Sequence, residues 1–218
     1  MAREIRGAIF DLDGVLVDTA KYHFQAWRGL AGQLGFELPD QVNEWLKGVS
    51  RQQSLEIVLQ YGQVTCDESR KQELARQKND WYVQSLKQLD STAILPGVKE
   101  YLRWLRTRNV RIALGSASSN ARMILERTGL VDYFDAIVDG TDQLPAKPEP
   151  DVFLLAAQKL TLSPEQCVVF EDSVAGITAA RSAGMLAVGI GPPAELAQAD
   201  LIIRSLDVLL PKSLREVS

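Results

Sequence analysis

The stretch Ala8-Ile9-Phe10-Asp11-Leu12-Asp13-Gly14-Val15-Leu16-Val17-Asp18-Thr19 places two carboxylates two residues apart at the end of an apolar run. Residues 7–10 read as a buried strand, which leaves Asp11 at its carboxyl end, where open α/β sheets bind their ligands. Period-two alternation aims Asp13 to the same side unless the strand turns first. One carboxylate so placed can attack phosphorus while its neighbour manages protons. Two other readings compete. A calcium loop shares the Asp-x-Asp spacing, but this segment lacks the third ligand and the distal Glu, and such a loop follows a helix. An ordinary strand-to-turn corner, with the acids satisfying backbone donors and Gly14 at positive φ, stays open on this stretch alone.

Outward from it, strand-like apolar runs recur at 110–115, 136–138, 167–170, 186–190 and 201–203, most of them separated by helical patterns. This alternation predicts a Rossmann-like parallel sheet with helices on both faces. Between Thr19 and about Ser91 the character changes: Tyr22, Ala26, Leu30 and Leu34 recur at helical spacing, as do Leu55, Val58 and Leu59, and then Leu74, Lys78, Tyr82 and Leu86. The pattern predicts two domains, an α/β core of residues 1–17 and 92–218 and a helical block of residues 18–91 inserted after the first strand. Two linkers side by side make a hinge by which that block closes over the strand ends.

The bulk numbers narrow the partners. The chain has 218 residues, 46% of them hydrophobic, and a formal charge of −4 with scattered Lys and Arg, so nucleic acid is not expected. No run approaches the ~18 apolar residues of a membrane span. The segment before Asp11 is too short for a signal peptide. Cys66 and Cys167 suggest neither a disulfide framework nor a metal site, and a reducing cytoplasm is the expected home.

Three further pieces follow in order. Residues 111–116 form a strand ending in Ser116, and Ala117-Ser118-Ser119-Asn120 then leads into a helix, an arrangement that suits an anionic phosphate, although Ser118 or Asn120 would serve equally as a helix N-cap. Lys147 lies in Pro145-Ala146-Lys147-Pro148-Glu149-Pro150, a stiff loop that could present a cation, where alone it reads as a solvated surface lysine. Glu171 and Asp172 end another buried strand. Either could cap the following helix, but two adjacent acids beside Asp11 and Asp13 repel without a cation, and magnesium takes such hard oxygen donors.

With these pieces in order, the chain resembles the haloacid dehalogenase superfamily of phosphotransferases, whose four motifs match Asp11-Leu12-Asp13-Gly14, Ser116, Lys147 and Glu171-Asp172. Within it, the segments Asp18-Thr19-Ala20-Lys21-Tyr22-His23-Phe24-Gln25-Ala26-Trp27, Leu46-Lys47-Gly48-Val49-Ser50-Arg51 and Lys78-Asn79-Asp80-Trp81-Tyr82 are similar to the β-phosphoglucomutase family. That resemblance implies a haloacid dehalogenase-like core with a helical cap domain, and an isomerase that passes β-glucose 1-phosphate through its 1,6-bisphosphate to glucose 6-phosphate. It implies Asp11 as nucleophile, Asp13 as proton donor and acceptor, and Ser116 and Lys147 offsetting phosphoryl charge. Magnesium would be held by Asp11, the Asp13 carbonyl, Glu171 and Asp172, and glucose 1,6-bisphosphate would prime the enzyme. The sugar phosphate would meet Thr19, His23, Trp27, Gly48, Val49, Arg51, Lys78, Ser118 and Asn120, with Arg51 clamping the remote phosphate.

His23 is the one histidine; alone on an amphipathic helix it reads as structural, and the resemblance places it near Asp13 with a part in closure of the cap. Ser119 departs from the family, which often has lysine there, so the remote phosphate site loses a charge. A monomer acting on small sugar phosphates, away from membranes, is the resulting expectation. A sugar-phosphate phosphatase, in which water attacks the aspartyl phosphate, is the alternative; Arg51 separates the two, because a small monoester needs no second clamp. A binding module without turnover would show the loss of an aspartate or of Lys147, and none is lost.

Overall fold

The computed structural model describes residues 4–210; the expected core segments continue into 1–3 and 211–218, which, with the first residues of the segment read as too short for a signal peptide, lie outside the described residues. The apolar runs form β1 (Gly7–Phe10), β2 (Arg111–Gly115), β3 (Ala136–Val138), β4 (Cys167–Glu171), β5 (Leu186–Ile190) and β6 (Leu201–Ile203). They join in the order β3-β2-β1-β4-β5-β6, every neighbouring pair parallel. β1 is central, and the strands wind outward from it in opposite directions, so the crevice at its carboxyl end is the topological switch point of the sheet.

Between β1 and β2 the chain forms α1 (Ala20–Gln33), α2 (Asn43–Leu46), α3 (Arg51–Tyr61) and α4 (Glu68–Ser85). The sheet is covered by α5 (Val98–Thr107), α6 (Ala121–Thr128), α7 (Asp151–Lys159) and α8 (Val174–Ser182). This is the expected parallel α/β core with an inserted helical cap. One local detail differs from the sequence reading: the one-turn α2 falls in a segment too short to show periodicity. β1 stops at Phe10, as read, and the amides of Leu16 and Val17 then donate back to the carbonyl of Leu12. Asp13 therefore reaches the crevice through a turn and not through the pleat of a strand.

Alternation along β1 divides the interior. Phe10 joins Leu102, Leu114, Ile124 and Phe170 under α5 and α6, whereas Ile9 joins Ala113, Phe153, Val169 and Ile177 under α7 and α8. The rings of Phe10 and Phe170 stack at 4.6 Å, and Tyr101 meets both edge-on. The inserted helices have an apolar cluster of their own, built on Trp27, Leu30, Val42, Leu55, Val58 and Leu74. Tyr82 and Leu86, at the end of α4, pack instead into the first sheet core.

The two chain crossings are bonded to one another: the amide of Asp18 donates to the Ala93 carbonyl at 2.8 Å, and that of Leu95 to the Leu16 carbonyl at 3.0 Å. Arg127 of α6 braces the exit from α4 by donating to the carbonyls of Leu86 and Lys87, each at 2.9 Å. Among the described residues, no helix is long and apolar enough to cross a membrane, and both cysteines are free.

The separate cap cluster generates a stability test. Leu30→Ala removes a fully buried side chain from it and should cost about 2–5 kcal/mol in urea unfolding, as core leucine truncations do. A loss below about 1 kcal/mol would mean that the helical block collapses around the cavity.

Candidate active site

Three adjacent strands end on one buried lysine. The stiff loop before α7 carries Lys147 beneath the crevice, where its Nζ donates to Asp11 Oδ1 at 2.6 Å, to Glu171 Oε1 at 2.7 Å and to the Gly115 carbonyl at 3.0 Å. The surface-lysine reading of Lys147 does not hold, because only 1% of the residue is exposed. Burial pushes its ammonium down, but the two carboxylates outweigh that and hold it above its ordinary value. Burial pushes the Asp11 carboxyl up to about 7, against the pull of Lys147 and with the help of Glu171 and Asp13.

Asp13 is surrounded by groups from the cap side. Thr19 Oγ1 donates to Asp13 Oδ1, and the Tyr82 hydroxyl approaches the same oxygen at 3.4 Å. Thr19 is the N-cap residue of α1 but makes no side-chain helix cap, so its hydroxyl is free for Asp13. The His23 ring stacks on Tyr82 at 3.7 Å, with Nε2 3.7 Å from Asp13 Oδ2. Burial, with Lys78 and Arg51 nearby, holds His23 well below its usual range, so its ring is neutral. Lys78 Nζ lies 2.7 Å from His23 Nδ1, on the side of the ring away from the Nε2 that faces Asp13. Lys78 is itself buried over the Trp27 and Tyr82 rings, and burial and Arg51 push it down to about 7. Burial also raises the Asp13 carboxyl, while the Thr19 hydrogen bond and Lys78 pull the other way.

The acids at the end of β4 divide their work. Glu171 Oε2 accepts from the amide and the hydroxyl of Ser173, at 2.8 and 2.9 Å, while Oε1 accepts from Lys147. A Cβ at Gly176 would lie 1.8 Å from Glu171 Oε1, so only glycine leaves space for this carboxylate against α8. Asp172 sits over the turn at Gly14, whose φ is +84° and whose added Cβ would meet Asp172 Oδ2 at 2.3 Å. Burial, together with Glu171 and Asp11, pushes Asp172 well above the usual carboxylate range.

The concentration of hard oxygen donors and the raised acids at Asp11 and Asp172 fit a magnesium ion. Asp11, the Asp13 carbonyl oxygen, Glu171 and Asp172 are the residues that would hold it; both Glu171 oxygens also accept hydrogen bonds, from Lys147 and Ser173.

Across the crevice, Gly48 at φ +72° brings the cap loop against Ser173, where an added Cβ would be 2.3 Å from Ser173 Oγ. Ser50 and Gln53 then form a reciprocal helix-start box that sets Arg51 at the first position of α3. Arg51 lines a cavity of about 650 Å³ that also takes in Asp11, Asp13, His23, Trp27, Gly48, Val49, Lys78, Ser116, Ser118 and Asn120. Thr19, Lys147 and Glu171 sit behind this lining. Arg51's guanidinium makes no hydrogen bond or salt bridge to any described residue. Ser116 Oγ accepts from the Ser118 amide at 3.1 Å, which leaves the hydroxyl proton free to donate. Ser119 also lines the cavity, so the core loop contributes neutral donors there, while Arg51, Lys78 and Lys47 bring positive charge from the cap.

Four groups at the site were not singled out from the sequence. Ser54 is buried and lines the cavity, Gln143 lines it from a left-handed backbone position at φ 55°, Lys47 Nζ lies 3.9 Å from Asp172 Oδ2, and Asn79 Oδ1 accepts from Asn120 Nδ2 at 2.9 Å. Lys47 and Asn79 stand inside the quoted cap segments, which was the available signal. Tyr82 stands in the same quoted segment as Asn79 and at helical spacing, with no role assigned to it.

Lys147→Met would strand two buried carboxylates without their shared cation. Breaking such a pair costs about 3–5 kcal/mol, which urea unfolding in chelator should record. A loss under about 1 kcal/mol would mean that Asp11 and Glu171 are held neutral in the fold.

The comparisons with known proteins agree with this geometry. A family model for haloacid dehalogenase-like hydrolases matches residues 5–184. The chain is 43% identical over 214 residues to a β-phosphoglucomutase of Bacillus subtilis, covering 97% of this chain and 95% of that protein. It is 38% identical over 190 residues to a fructose-1-phosphate phosphatase of Escherichia coli, covering 87% and 98%. A crystal structure of β-phosphoglucomutase from Clostridium difficile matches with a TM-score of 0.91 at 40% identity, covering 97% of this chain and 96% of that one. With the strand-end aspartates, the buried lysine and the inserted helical cap all in place, the chain belongs to the haloacid dehalogenase-like hydrolase family.

Proposed function

We propose that the protein is a magnesium-dependent phosphomutase that interconverts β-D-glucose 1-phosphate and glucose 6-phosphate through an aspartyl phosphate and a glucose 1,6-bisphosphate intermediate. One observation carries the reading: a single cavity has the Asp11 carboxylate on its core side and the Arg51 guanidinium, which makes no hydrogen bond or salt bridge to any described residue, on its cap side. A bisphosphate needs both ends, whereas a small monoester needs one. The β-phosphoglucomutase relatives support the same reading.

In this mechanism Asp11, oriented by Lys147, attacks phosphorus; the new bond is the aspartyl phosphate, and the bond that breaks joins phosphorus to the sugar oxygen. Asp13 gives its proton to that leaving oxygen, and in the reverse step takes the proton of the attacking hydroxyl. A carboxyl raised by burial suits the first task, and the Thr19 and Tyr82 hydrogen bonds suit the second. Lys147 and Ser116 offset charge on the transferring oxygens. Magnesium, held by Asp11, the Asp13 carbonyl, Glu171 and Asp172, would supply further positive charge there. Arg51, Ser118 and Asn120 grip the remote phosphate, and the sugar lies against His23, Trp27, Gly48, Val49 and Lys78. Residues 18–91 act as the moving cap and the paired linkers as its hinge, so that the bisphosphate turns around between transfers.

The second reading is a sugar-phosphate phosphatase, which the Escherichia coli relative favours. The two differ in whether a sugar hydroxyl or water takes the phosphoryl group from Asp11. Incubation with β-glucose 1-phosphate, magnesium and a trace of glucose 1,6-bisphosphate should yield glucose 6-phosphate; release of inorganic phosphate in its place would establish the phosphatase. Asp11→Asn should lower turnover at least about a hundredfold, since an amide forms no acyl phosphate, and retention of more would refute the nucleophile. Arg51→Ala should damage conversion of the sugar phosphate far more than hydrolysis of acetyl phosphate, and parallel losses would assign Arg51 to the fold or to closure.

A further inference from the structure

Asn120 stands at the N-cap of α6, a place where an asparagine side chain ordinarily accepts from the first turn of its own helix. Here it makes no such bond. Its Nδ2 donates across the seam between core and cap to Asn79 Oδ1 of α4, at 2.9 Å, and both residues line the cavity. The residues on either side of Asn79 also address the site: Lys78 bonds His23, and the Asp80 charge acts on Arg51.

From this geometry we propose that Asn79 is a positioning residue, whose side-chain carbonyl selects the orientation of the Asn120 carboxamide that presents NH₂ to the phosphate remote from Asp11. The inference rests on the proposed role of Asn120 at that phosphate. A carboxamide has two nearly isosteric ends, one a donor and the other an acceptor. Left free in the cavity, Asn120 would hold neither end in place before an anion arrives, and its oxygen, which only accepts, would have to turn away for one to bind. In the observed pairing the Asn79 carbonyl accepts from Asn120 Nδ2, so it holds the nitrogen end, uses one N–H and leaves the second for the ligand. Because the core loop carries Ser119 and no cation, the orientation of this neutral donor sets how well the core side grips the phosphate. The bond joins cap to core, so the selection operates with the cap closed.

The test is a double-mutant cycle on the full-length enzyme with Asn79→Ala, Asn120→Ala and the double variant, each checked by thermal melting. Kinetics are measured with β-glucose 1-phosphate primed by glucose 1,6-bisphosphate, and with acetyl phosphate, which has no remote phosphate. Asn79→Ala should lower kcat/KM for the sugar phosphate about five- to tenfold more than for acetyl phosphate, chiefly through KM, because both sugar orientations are gripped alike. In the Asn120→Ala background the same change should cost less than about twofold, since the group it orients is gone. Equal losses with both substrates, or full additivity in the double variant, would overturn the proposal. If the wild-type enzyme releases phosphate and does not isomerise the sugar, the mutase reading fails, and the same cycle scored on phosphate release still decides the role of Asn79.

Discussion

Burying three carboxylates at the end of a parallel sheet is the constraint around which this molecule is built. Asp11, Glu171 and Asp172 converge at the carboxyl ends of β1 and β4, and the Lys147 ammonium compensates two of them directly while also tying in the end of β2 through Gly115. Each charge alone would be expensive in this setting, and the pairings hold only if every member is placed to within hydrogen-bonding distance. Much of the local sequence follows from that demand. The loop around Lys147 is stiffened by prolines, Gly176 leaves room for Glu171, and Gly14 leaves room for Asp172.

The cap answers the core with opposite charge. Acidic groups dominate the strand ends, whereas Arg51, Lys78 and Lys47 approach from the inserted helices. Neither half carries a balanced set of charges by itself, so the packing of the inserted helices over the strand ends is also what brings the electrostatics of the cavity together. Two helix starts reflect the same priority. Thr19 and Asn120 both occupy N-cap positions and both turn their side chains away from their own helices, toward Asp13 and Asn79 respectively. A side-chain cap is worth about 1 kcal/mol, and its loss at two sites flanking one cavity marks where local stability yields to the geometry of the site.

The elements legible from sequence were those written in local pattern. Apolar runs of three to six residues, broken by helical periodicity, were enough for the parallel sheet, and the change to helical spacing after Thr19 was enough for the insertion. The acids at strand ends declared themselves because a charged residue closing a buried run is a local anomaly. The order of the four core motifs and the cap segments supplied the family and most of the cavity residues. What escaped was shorter than the period that would reveal it, as with α2.

The partnerships were decided by tertiary structure alone. Lys147 reads by itself as a surface lysine, and its burial comes from Asp11, 136 positions away, and from the end of β4. Glu171 and Asp172 are adjacent and chemically alike, yet the fold turns one toward Lys147 and Ser173 and leaves the other over the Gly14 turn. Tyr82 and Asn79 carry no sign in the sequence of what their polar ends meet, because Asp13 and Asn120 lie on other elements. Periodicity and composition determine which face of an element is buried, since those are properties of neighbouring residues. Which buried charge meets which partner depends on distances between elements far apart in the chain, and these exist only once the sheet and its cap have closed around the cavity.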